Sequence, residues 1–353
     1  MQICSLIANL HSFYVERTLT SYLKRMVKKF PILSVTGPRQ SGKTTLLKKS
    51  FPDFKYFNVE RPDIRQLINS DPLGFLKEQG AGLILDEIQN LPELFSYIQA
   101  VSDDRGTAGQ YILSGSQSFL LYERISQSLA GRVNVNLLLP FDLQEISGMT
   151  TSKYSTLMHS GFYPGMWQGN ILAGDFFPSY IQTYVDRDLR TLRAVSDLES
   201  FTRFIGLCAG RTGQVLNISS LANDAGVSVN TAKSWISVLE SSYILFLLRP
   251  YFNNFNKRLI KSPKLYFWDT GLLCQLLRIN NPLCLKSHYL YGSIFENMII
   301  ADLIKQFCHS GKPPAVYYWR ESNGNEIDCL IELSSQNLLA IEIKGGGPSL
   351  KII

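Results

Sequence analysis

The segment GPRQSGKTT at residues 37–45 constrains the fold more than any other feature of this chain. It contains the pattern GxxxxGK[ST], follows the apolar run ILSVT and precedes a segment with a helical pattern. A glycine-rich loop between a buried strand and a helix directs backbone N–H groups at phosphate oxygens, at the positive end of the helix dipole. The segment therefore predicts a phosphate-binding loop rather than a chance loop rich in glycine and lysine.

Each position of this loop has an expected role. Gly37 and Gly42 permit backbone angles that a side chain would forbid. Lys43 is expected to reach the β and γ phosphates, and Thr44 to bind Mg²⁺ through its hydroxyl. We therefore expect ATP with Mg²⁺ as the ligand, surrounded by Gly37, Pro38, Arg39, Gln40, Ser41, Gly42, Lys43, Thr44 and Thr45.

Two acidic residues follow the apolar run at residues 83–85. Asp86, at the end of the predicted strand, is expected to complete the Mg²⁺ shell. Glu87 is expected to polarise the attacking water as a general base. Alternatively, acids in this position cap the next helix, an interpretation that suits Glu87 alone better than the pair.

Two further polar features each have two interpretations. Ser114 or Ser116, at the end of the predicted strand 111–114, would hold the attacking water or sense the γ phosphate, or would simply form a turn. Arg132 would reach the γ phosphate, where an arginine contributes about 10³–10⁵ in rate, or would lie on the surface.

The order of apolar runs predicts the architecture. A helical pattern at 14–30 precedes strand-like runs that alternate with amphipathic segments, which favours a parallel sheet covered by helices on both faces. The chain then becomes helical from about 149 to 245, and its last third has a helix followed by strands. The predicted strands are 32–36, 56–59, 83–85, 111–114 and 133–138 in the first part, and 316–320, 326–333 and 338–344 in the last.

Composition sets broad limits on the class of protein. A length of 353 residues suggests two or three domains, and 45% hydrophobic residues argue against disorder. The net charge of +6 permits nucleic-acid binding without requiring it. The six cysteines have no metal-binding spacing and are expected to be reduced thiols, and no apolar run approaches the roughly 20 residues that span a bilayer. We expect a cytoplasmic protein that does not cross a membrane.

Several segments together resemble the bacterial and archaeal AAA-type P-loop ATPases whose second half carries a domain of unknown function. The resemblance extends over about residues 15–345. It implies an AAA-like P-loop domain at 14–148, a helical winged-helix domain at 149–265 and a small α/β domain resembling PD-(D/E)xK nucleases at 266–353. It also raises the expectation of a homo-oligomer, because AAA-like sites often borrow an arginine from a neighbouring subunit. The matching segments are 37–45, 85–89, 113–117, 130–132, 139–140, 180–188, 263–271, 318–320 and 326–328.

Residues 218–236 fit a helix-turn-helix unit. Ala222 is small where two helices would cross, Gly226 lies at the turn, and Ser228 can cap the second helix. The predicted buried seam comprises Leu221, Ala225, Val227, Trp235 and Leu239. The residues predicted to face outward, towards double-stranded DNA, are Asn230, Thr231, Lys233 and Ser234. Nearby cations that favour DNA contact are Arg249, Lys257, Arg258, Lys261 and Lys264. Alternatively, the unit is an ATPase lid or a protein-contact module, because its outward face carries one lysine.

Four polar residues near the C-terminus suggest a second metal site. Glu296 on a helix, Asp328 on a strand, and Glu342 with Lys344 on a later strand match the pattern of PD-(D/E)xK nucleases. Asp328 and Glu342 would hold Mg²⁺, and the lysine would position water or stabilise phosphate charge. Alternatively, E-x-K at a sheet edge is a solvated ion pair. Because the sequence ends nine residues after Lys344, we expect a truncated or degenerate copy of the nuclease-like fold.

Three functional hypotheses remain open from the sequence, one of which is structure-specific, Mg²⁺-dependent cleavage of nucleic acid through Asp328 and Lys344. The other two concern the nucleotide. The first is an enzyme that hydrolyses ATP with Mg²⁺ and couples the reaction to DNA binding or processing. The second is a nucleotide-switched regulator that binds DNA or protein, with little turnover and an inactive nuclease-like domain.

Overall fold

A computed structural model defines the conformation of most of the chain. It describes residues 14–116, 125, 128–150, 152–168, 171–184, 197–252, 262–321, 324–334, 337–345 and 351–352. Lys257, Arg258 and Lys261, which were named as cations near a DNA site, lie outside the described residues.

Five parallel strands form the sheet of the N-terminal part, in the order β2-β3-β4-β1-β5. Every residue of β1, β3 and β4 is buried, as expected for a sheet that helices cover on both faces. The predicted parallel sheet is confirmed, and each predicted strand agrees with the structure to within one residue at either end. The strands are β1 (Ile32–Thr36), β2 (Lys55–Asn58), β3 (Leu83–Asp86), β4 (Tyr111–Gly115) and β5 (Val133–Leu137).

Helices flank this sheet, and the polar segments lie at the carboxyl-terminal ends of its strands. The first helix is shorter than the predicted 14–30, and it buries Leu19, Leu23 and Met26 along one face. Because the strands are parallel, the loops that follow β1, β3 and β4 all leave the sheet at the same edge. The helices are α1 (Leu19–Met26), α2 (Lys43–Ser50), α3 (Pro62–Ser70), α4 (Pro72–Gln79) and α5 (Leu94–Arg105).

The middle of the chain is helical, as predicted. Its last helix leads into β6 (Leu245–Leu248), which pairs antiparallel with β7 (Lys264–Phe267). The proposed domain boundary between residues 265 and 266 falls inside β7, so strand pairing joins its two sides. The helices are α6 (Leu143–Ile146), α7 (Tyr154–Ser160), α8 (Pro164–Gln168), α9 (Ala173–Tyr184), α10 (Leu198–Ala209), α11 (Ile218–Ala225) and α12 (Val229–Ser241).

The C-terminal part combines helices with a four-stranded antiparallel sheet in the order β11-β10-β9-β8. The strands predicted at 316–320 and 326–333 are confirmed. The strand predicted at 338–344 ends at Glu342, and the short β11 was not predicted. The elements are α13 (Thr270–Leu276), α14 (Pro282–Ser287), α15 (Tyr291–His309), β8 (Val316–Arg320), β9 (Glu326–Ser334), β10 (Asn337–Glu342) and β11 (Lys351–Ile352).

The C-terminal sheet shares a hydrophobic core with the end of the parallel sheet. Ile300 and Ile304 of α15 and Tyr318 of β8 belong to the same buried cluster as Leu139, which follows β5. Tyr243, also in that cluster, donates a hydrogen bond to Thr36 Oγ1 at 3.1 Å. The C-terminal elements therefore pack next to the end of β1, where the phosphate loop begins.

Over the described residues, every helix is too short or too polar to cross a lipid bilayer.

Candidate nucleotide site

The loop after β1 has the backbone that its glycines predict. Gly37 has φ +148° and Gly42 has φ +91°, both in the region that favours glycine. A Cβ on Gly37 would lie 2.0 Å from the carbonyl oxygen of Leu138, so no side chain fits there. The loop therefore keeps its backbone close to the end of the sheet and delivers the chain into α2 at Lys43.

Lys43 points into this loop and is almost fully buried, with 6% of its surface exposed. Its ammonium donates hydrogen bonds to the carbonyl oxygens of Gly37 at 2.9 Å and Pro38 at 2.8 Å. Burial lowers the pKa of Lys43 to about 8, although the charges of Glu87 and Asp86 act in the opposite direction. The amine is thus held inside the loop, and its pKa is closer to neutral pH than that of an exposed lysine.

Asp86 closes β3 beside the loop and gathers three hydroxyl groups. Its Oδ2 accepts hydrogen bonds from Thr44 Oγ1 at 2.6 Å and from Tyr56 OH at 2.8 Å, and its Oδ1 accepts one from Ser114. The structure thus brings Thr44 and Asp86 together, as their proposed shared metal requires. Tyr56 was missed from the sequence, although its place on the strand next to β3 was a usable signal. Burial, reinforced by Asp86, raises the pKa of Tyr56.

Glu87 adopts a left-handed backbone conformation, with φ +57°, which is uncommon for a residue with a long side chain. Its Oε2 accepts hydrogen bonds from Gln89 Nε2 at 2.5 Å and from Ser116 Oγ at 3.1 Å. The two serines considered from the sequence therefore have different partners, since Ser114 binds Asp86 and Ser116 binds Glu87. The carboxylate is fixed in the cleft by Gln89, on the short 3₁₀ helix Ile88–Asn90, and by Ser116 after β4.

The loop and Glu87 form one side of a cleft of about 980 Å³. Its other side is formed by α8 and α9. The residues that line the cleft from the loop side are Arg39, Gln40, Gly42, Lys43, Thr44 and Thr45.

Arg132 lies at the amino-terminal ends of the parallel strands, on the side of the sheet away from the phosphate loop. It directly precedes Val133, which is in register with Ile32 at the start of β1. The five residues of β1 separate the amino-terminal ends of the strands from their carboxyl-terminal ends by about 16 Å. The guanidinium forms an ion pair with Asp103 at 2.5 Å and is partly exposed. The expectation that Arg132 reaches the phosphates of its own chain is therefore wrong, because it sits at the amino end of its strand.

A buried arginine supports the loop from behind. Arg17 has 4% of its surface exposed and donates to the carbonyl oxygens of Ser41 at 2.7 Å and Leu139 at 2.6 Å. Its Nε pairs with Glu145 at 3.0 Å, and its guanidinium lies 4.8 Å from the centre of the Phe141 ring. Sequence reasoning missed Arg17, because it lies 24 residues before its partner Ser41 and outside any motif.

This arginine belongs to a buried network that reaches the C-terminal part. His309, the last residue of α15, lies 2.8 Å from Asp142 through Nδ1 and accepts the backbone N–H of Leu139 on Nε2 at 3.2 Å. Nδ1 must therefore carry the proton, so the ring is neutral. Burial lowers the pKa of His309 despite the nearby acids.

The same network contains a group with the composition of a metal site. Side-chain ligand atoms of Asp142, Glu145 and His309 lie within 4.8 Å of one another. Asp142 binds His309 and the N–H of Glu145, while Glu145 binds Arg17 and two backbone N–H groups. These donors satisfy the carboxylates, so the group holds together as a hydrogen-bonded network in which Arg17 supplies the positive charge and no metal ion is required.

The three proposed nuclease carboxylates do not form one compact group of metal ligands. Glu296, Asp328 and Glu342 are all described, and they do not form a group with ligand atoms within 4.8 Å. Asp328 accepts the backbone N–H of Ile343 at 2.8 Å, and Lys344 lies beyond β10 with 71% of its side chain exposed. Glu342 and Lys344 nevertheless share a face, as predicted, and pair at 3.9 Å, which agrees with the alternative of a solvated ion pair. The nuclease-like metal site stays a prediction.

Glu296 instead takes part in a cluster around Lys264. The Lys264 side chain is 3% exposed and contacts Glu296 at 3.3 Å and Glu326. Tyr266 OH donates to Glu296 at 2.5 Å. Burial acts to lower the pKa of Lys264, but the two carboxylates leave it above its ordinary value. The expectation that Lys264 faces DNA is corrected, because both acids neutralise it in the interior.

The helix-turn-helix prediction is matched by α11 and α12. Gly226 ends α11 with φ +73°, and Ser228 Oγ accepts the N–H of Thr231 at 3.0 Å at the start of α12. Thr231 is half-buried and its hydroxyl pairs with Ser228, which corrects its expected outward position. Of the four residues predicted to face outward, three are exposed, namely Asn230, Lys233 and Ser234.

A parallel sheet with this loop after β1, and an acid at the end of β3, defines a P-loop ATPase domain. In agreement, residues 29–147 match the model of an AAA domain. Residues 151–283 and 291–351 match two domains of unknown function, DUF8612 and DUF4143.

Two curated relatives match most of the length of this chain. The uncharacterized proteins Rv2008c of Mycobacterium tuberculosis and Mb2031c of Mycobacterium bovis are each 31% identical over 332 residues, covering 91% of this chain and 72% of the relative. The chain belongs to their family, the AAA-domain P-loop ATPases that carry these two further domains. The solved Walker-type ATPase PABY2304 of Pyrococcus abyssi aligns with 74% of this chain and 94% of its own at 12% identity. The TM-score of that alignment is 0.48.

Proposed function

We propose that the protein binds ATP with Mg²⁺ in the loop at residues 37–45 and hydrolyses it. The observation that carries this proposal is the contact between Thr44 Oγ1 and Asp86 Oδ2 at 2.6 Å, next to the buried amine of Lys43. Hydroxyl and carboxylate oxygens are the donors that Mg²⁺ prefers, so this pair fits the ion chemically. When bound, Mg²⁺ would neutralise phosphate charge.

The residues of the chain then have distinct roles. Lys43 binds the β and γ phosphates, and the N–H groups of the loop surround them. Tyr56 and Ser114 hold Asp86 through its two carboxylate oxygens, which keeps it oriented towards Thr44. Glu87, held by Gln89 and Ser116, accepts a proton from the attacking water.

Steady-state phosphate release tests this proposal. We expect the wild-type protein to release phosphate from ATP only with Mg²⁺, and Lys43→Ala to lose activity by about 10²-fold or more, since it removes the charge that meets the phosphates. Lys24→Ala, at an exposed position of α1, is the matched control and should keep full activity. Equal phosphate release by both variants would contradict the proposal.

Nucleotide affinity is expected to depend on pH through Lys43. In the free protein its pKa is about 8, and a bound anionic phosphate favours the charged amine, which raises that pKa. The free amine therefore loses its proton as pH rises through 8 while the bound amine keeps it, so affinity should fall by up to about tenfold per pH unit above 8. Calorimetry in buffers of different ionisation enthalpy should detect proton uptake on binding. An affinity that stays constant from pH 7 to pH 9.5 would rule this out.

We further propose that ATP binding or hydrolysis is coupled to double-stranded DNA through α12. The exposed positions of Asn230, Lys233 and Ser234 at the start of this capped helix favour that role. Lys233→Ala should weaken duplex binding and reduce the salt dependence by about one counterion. Fluorescence anisotropy across a salt series measures both, with Lys286→Ala, an exposed lysine of α14, as the control. An unchanged salt slope would favour the alternative, a nucleotide-switched module that binds protein.

A further inference from the structure

Helix α9 forms the wall of the nucleotide cleft opposite the phosphate loop. The connection to it begins close to the loop, because a Cβ on Gly42 would lie 3.7 Å from Cγ of Pro164 at the start of α8. From there the cleft is lined along α9 by Asp175, Phe176, Ser179, Tyr180 and Thr183. None of these side chains has a role in the function proposed above.

Three of these residues form a polar row along one face of α9. Asp175, Ser179 and Thr183 are spaced four residues apart, so they share a face, and all three are exposed. The hydroxyl of Ser179 donates to the carbonyl oxygen of Asp175 at 3.2 Å, and that of Thr183 donates to the carbonyl oxygen of Ser179 at 2.8 Å. Since both hydroxyl protons are used within the helix, the row presents a carboxylate and two hydroxyl oxygens as hydrogen-bond acceptors.

Two aromatic residues lie beside this row. Phe176 and Tyr180 pack in a stacked arrangement, with ring centres 5.9 Å apart and an interplanar angle of 15°. Tyr180 is fixed further by the contact between its hydroxyl and that of Tyr163 at 2.9 Å. The wall therefore combines two aromatic rings held in fixed positions with a row of acceptor oxygens.

The charge of this wall decides which end of a nucleotide it can face. A carboxylate and further acceptors repel phosphate oxygens, whereas the loop opposite supplies Lys43 and backbone N–H groups for them. The uncharged end of the nucleotide has the complementary groups. Its ribose hydroxyls and the amino group of adenine donate hydrogen bonds, and its base is flat and aromatic.

We infer that α9 is the nucleoside-binding wall of the cleft, with Asp175, Ser179 and Thr183 accepting hydrogen bonds from the nucleoside beside Phe176 and Tyr180. This inference rests on the proposed function, since it assumes that the loop holds the phosphates. It gives α9, which lies outside the AAA domain, a direct role in the selectivity for adenosine nucleotides.

Tripolyphosphate separates this inference from the proposal it rests on, because it has the phosphates of ATP without the nucleoside. Ser179→Trp should fill the cleft and weaken ATP binding about tenfold or more, while tripolyphosphate binding stays within about twofold of wild type. Gln182→Trp, on the same helix but away from the cleft, is the matched control and should bind both like wild type.

The outcomes of these titrations are distinct. Wild-type ATP affinity in Ser179→Trp would overturn the inference, as would an equal loss of ATP and tripolyphosphate. If the wild-type protein bound neither compound, the proposed function itself would fail, and the inference with it.

A second variant tests the acceptor row with little change in shape. Asp175→Ala should lower ATP affinity about tenfold, as expected for the loss of a hydrogen bond to a charged group. The wild-type protein should discriminate against at least one of 2′-deoxy-ATP, 3′-deoxy-ATP and inosine triphosphate, which identifies the donor group, and Asp175→Ala should reduce that discrimination. Equal binding of all four nucleotides by the wild type would overturn the assignment of the row.

Discussion

Glu87→Gln is expected to bind ATP with wild-type affinity and to lose turnover by about 10²–10⁴-fold. The amide keeps the size of the side chain and can still bind Ser116 through its oxygen, but it cannot accept a proton from water. The left-handed backbone of Glu87 and its contacts with Gln89 and Ser116 fix the carboxylate on the cleft side of the sheet edge. A single-turnover measurement of phosphate release, with affinity measured separately, isolates the chemical step.

The control for this variant is Glu93→Gln, which alters an exposed glutamate six positions further along the chain. It should leave both quantities unchanged. Undiminished phosphate release by Glu87→Gln would remove the general-base role. A loss of ATP affinity with normal turnover of bound ATP would instead show that the carboxylate shapes the loop.

Arg17→Ala should lower the free energy of unfolding by about 3–5 kcal/mol, since it leaves Glu145 buried without its cation. Both side chains are almost inaccessible, at 4% and 1% exposure. The same change frees the carbonyl oxygen of Ser41, so ATP affinity should also fall. Urea unfolding followed by circular dichroism measures the first effect, and nucleotide titration of the folded variant measures the second.

The matched control is Arg61→Ala, which breaks an ion pair with Asp63 that is largely exposed to solvent. It should not change stability measurably, because solvent screens such pairs. If Arg17→Ala unfolded at the same urea concentration as the control, the buried network would have no structural importance. Arg17 would then not stabilise the phosphate loop.

The sequence predicts well those features that local pattern determines. The apolar runs of β1 and β3 each precede a polar or glycine-rich segment, and their parallel pairing through β4 places Lys43 and Asp86 at one edge. Both the sheet and the proximity of Thr44 to Asp86 follow from that pattern. The position of Ser114 beside Asp86 follows in the same way from the register of neighbouring strands.

Features that depend on distant contacts could not be predicted in this way. Arg17 and His309 are 292 residues apart in the chain, and only tertiary packing brings both to Leu139. The placement of α9 across from the loop has no local signal either. In the C-terminal part, alternation along a strand put Glu342 and Lys344 on one face, where they do pair at 3.9 Å. It gave no sign that Asp328 would bind the backbone N–H of Ile343.

The most direct test of the central claim is a calorimetric titration of the wild-type protein with a non-hydrolysable ATP analogue and Mg²⁺. The account predicts heat from a single site, dependent on Mg²⁺ and lost in Lys43→Ala. Well-folded wild-type protein that gave no heat with the analogue and Mg²⁺ would contradict it.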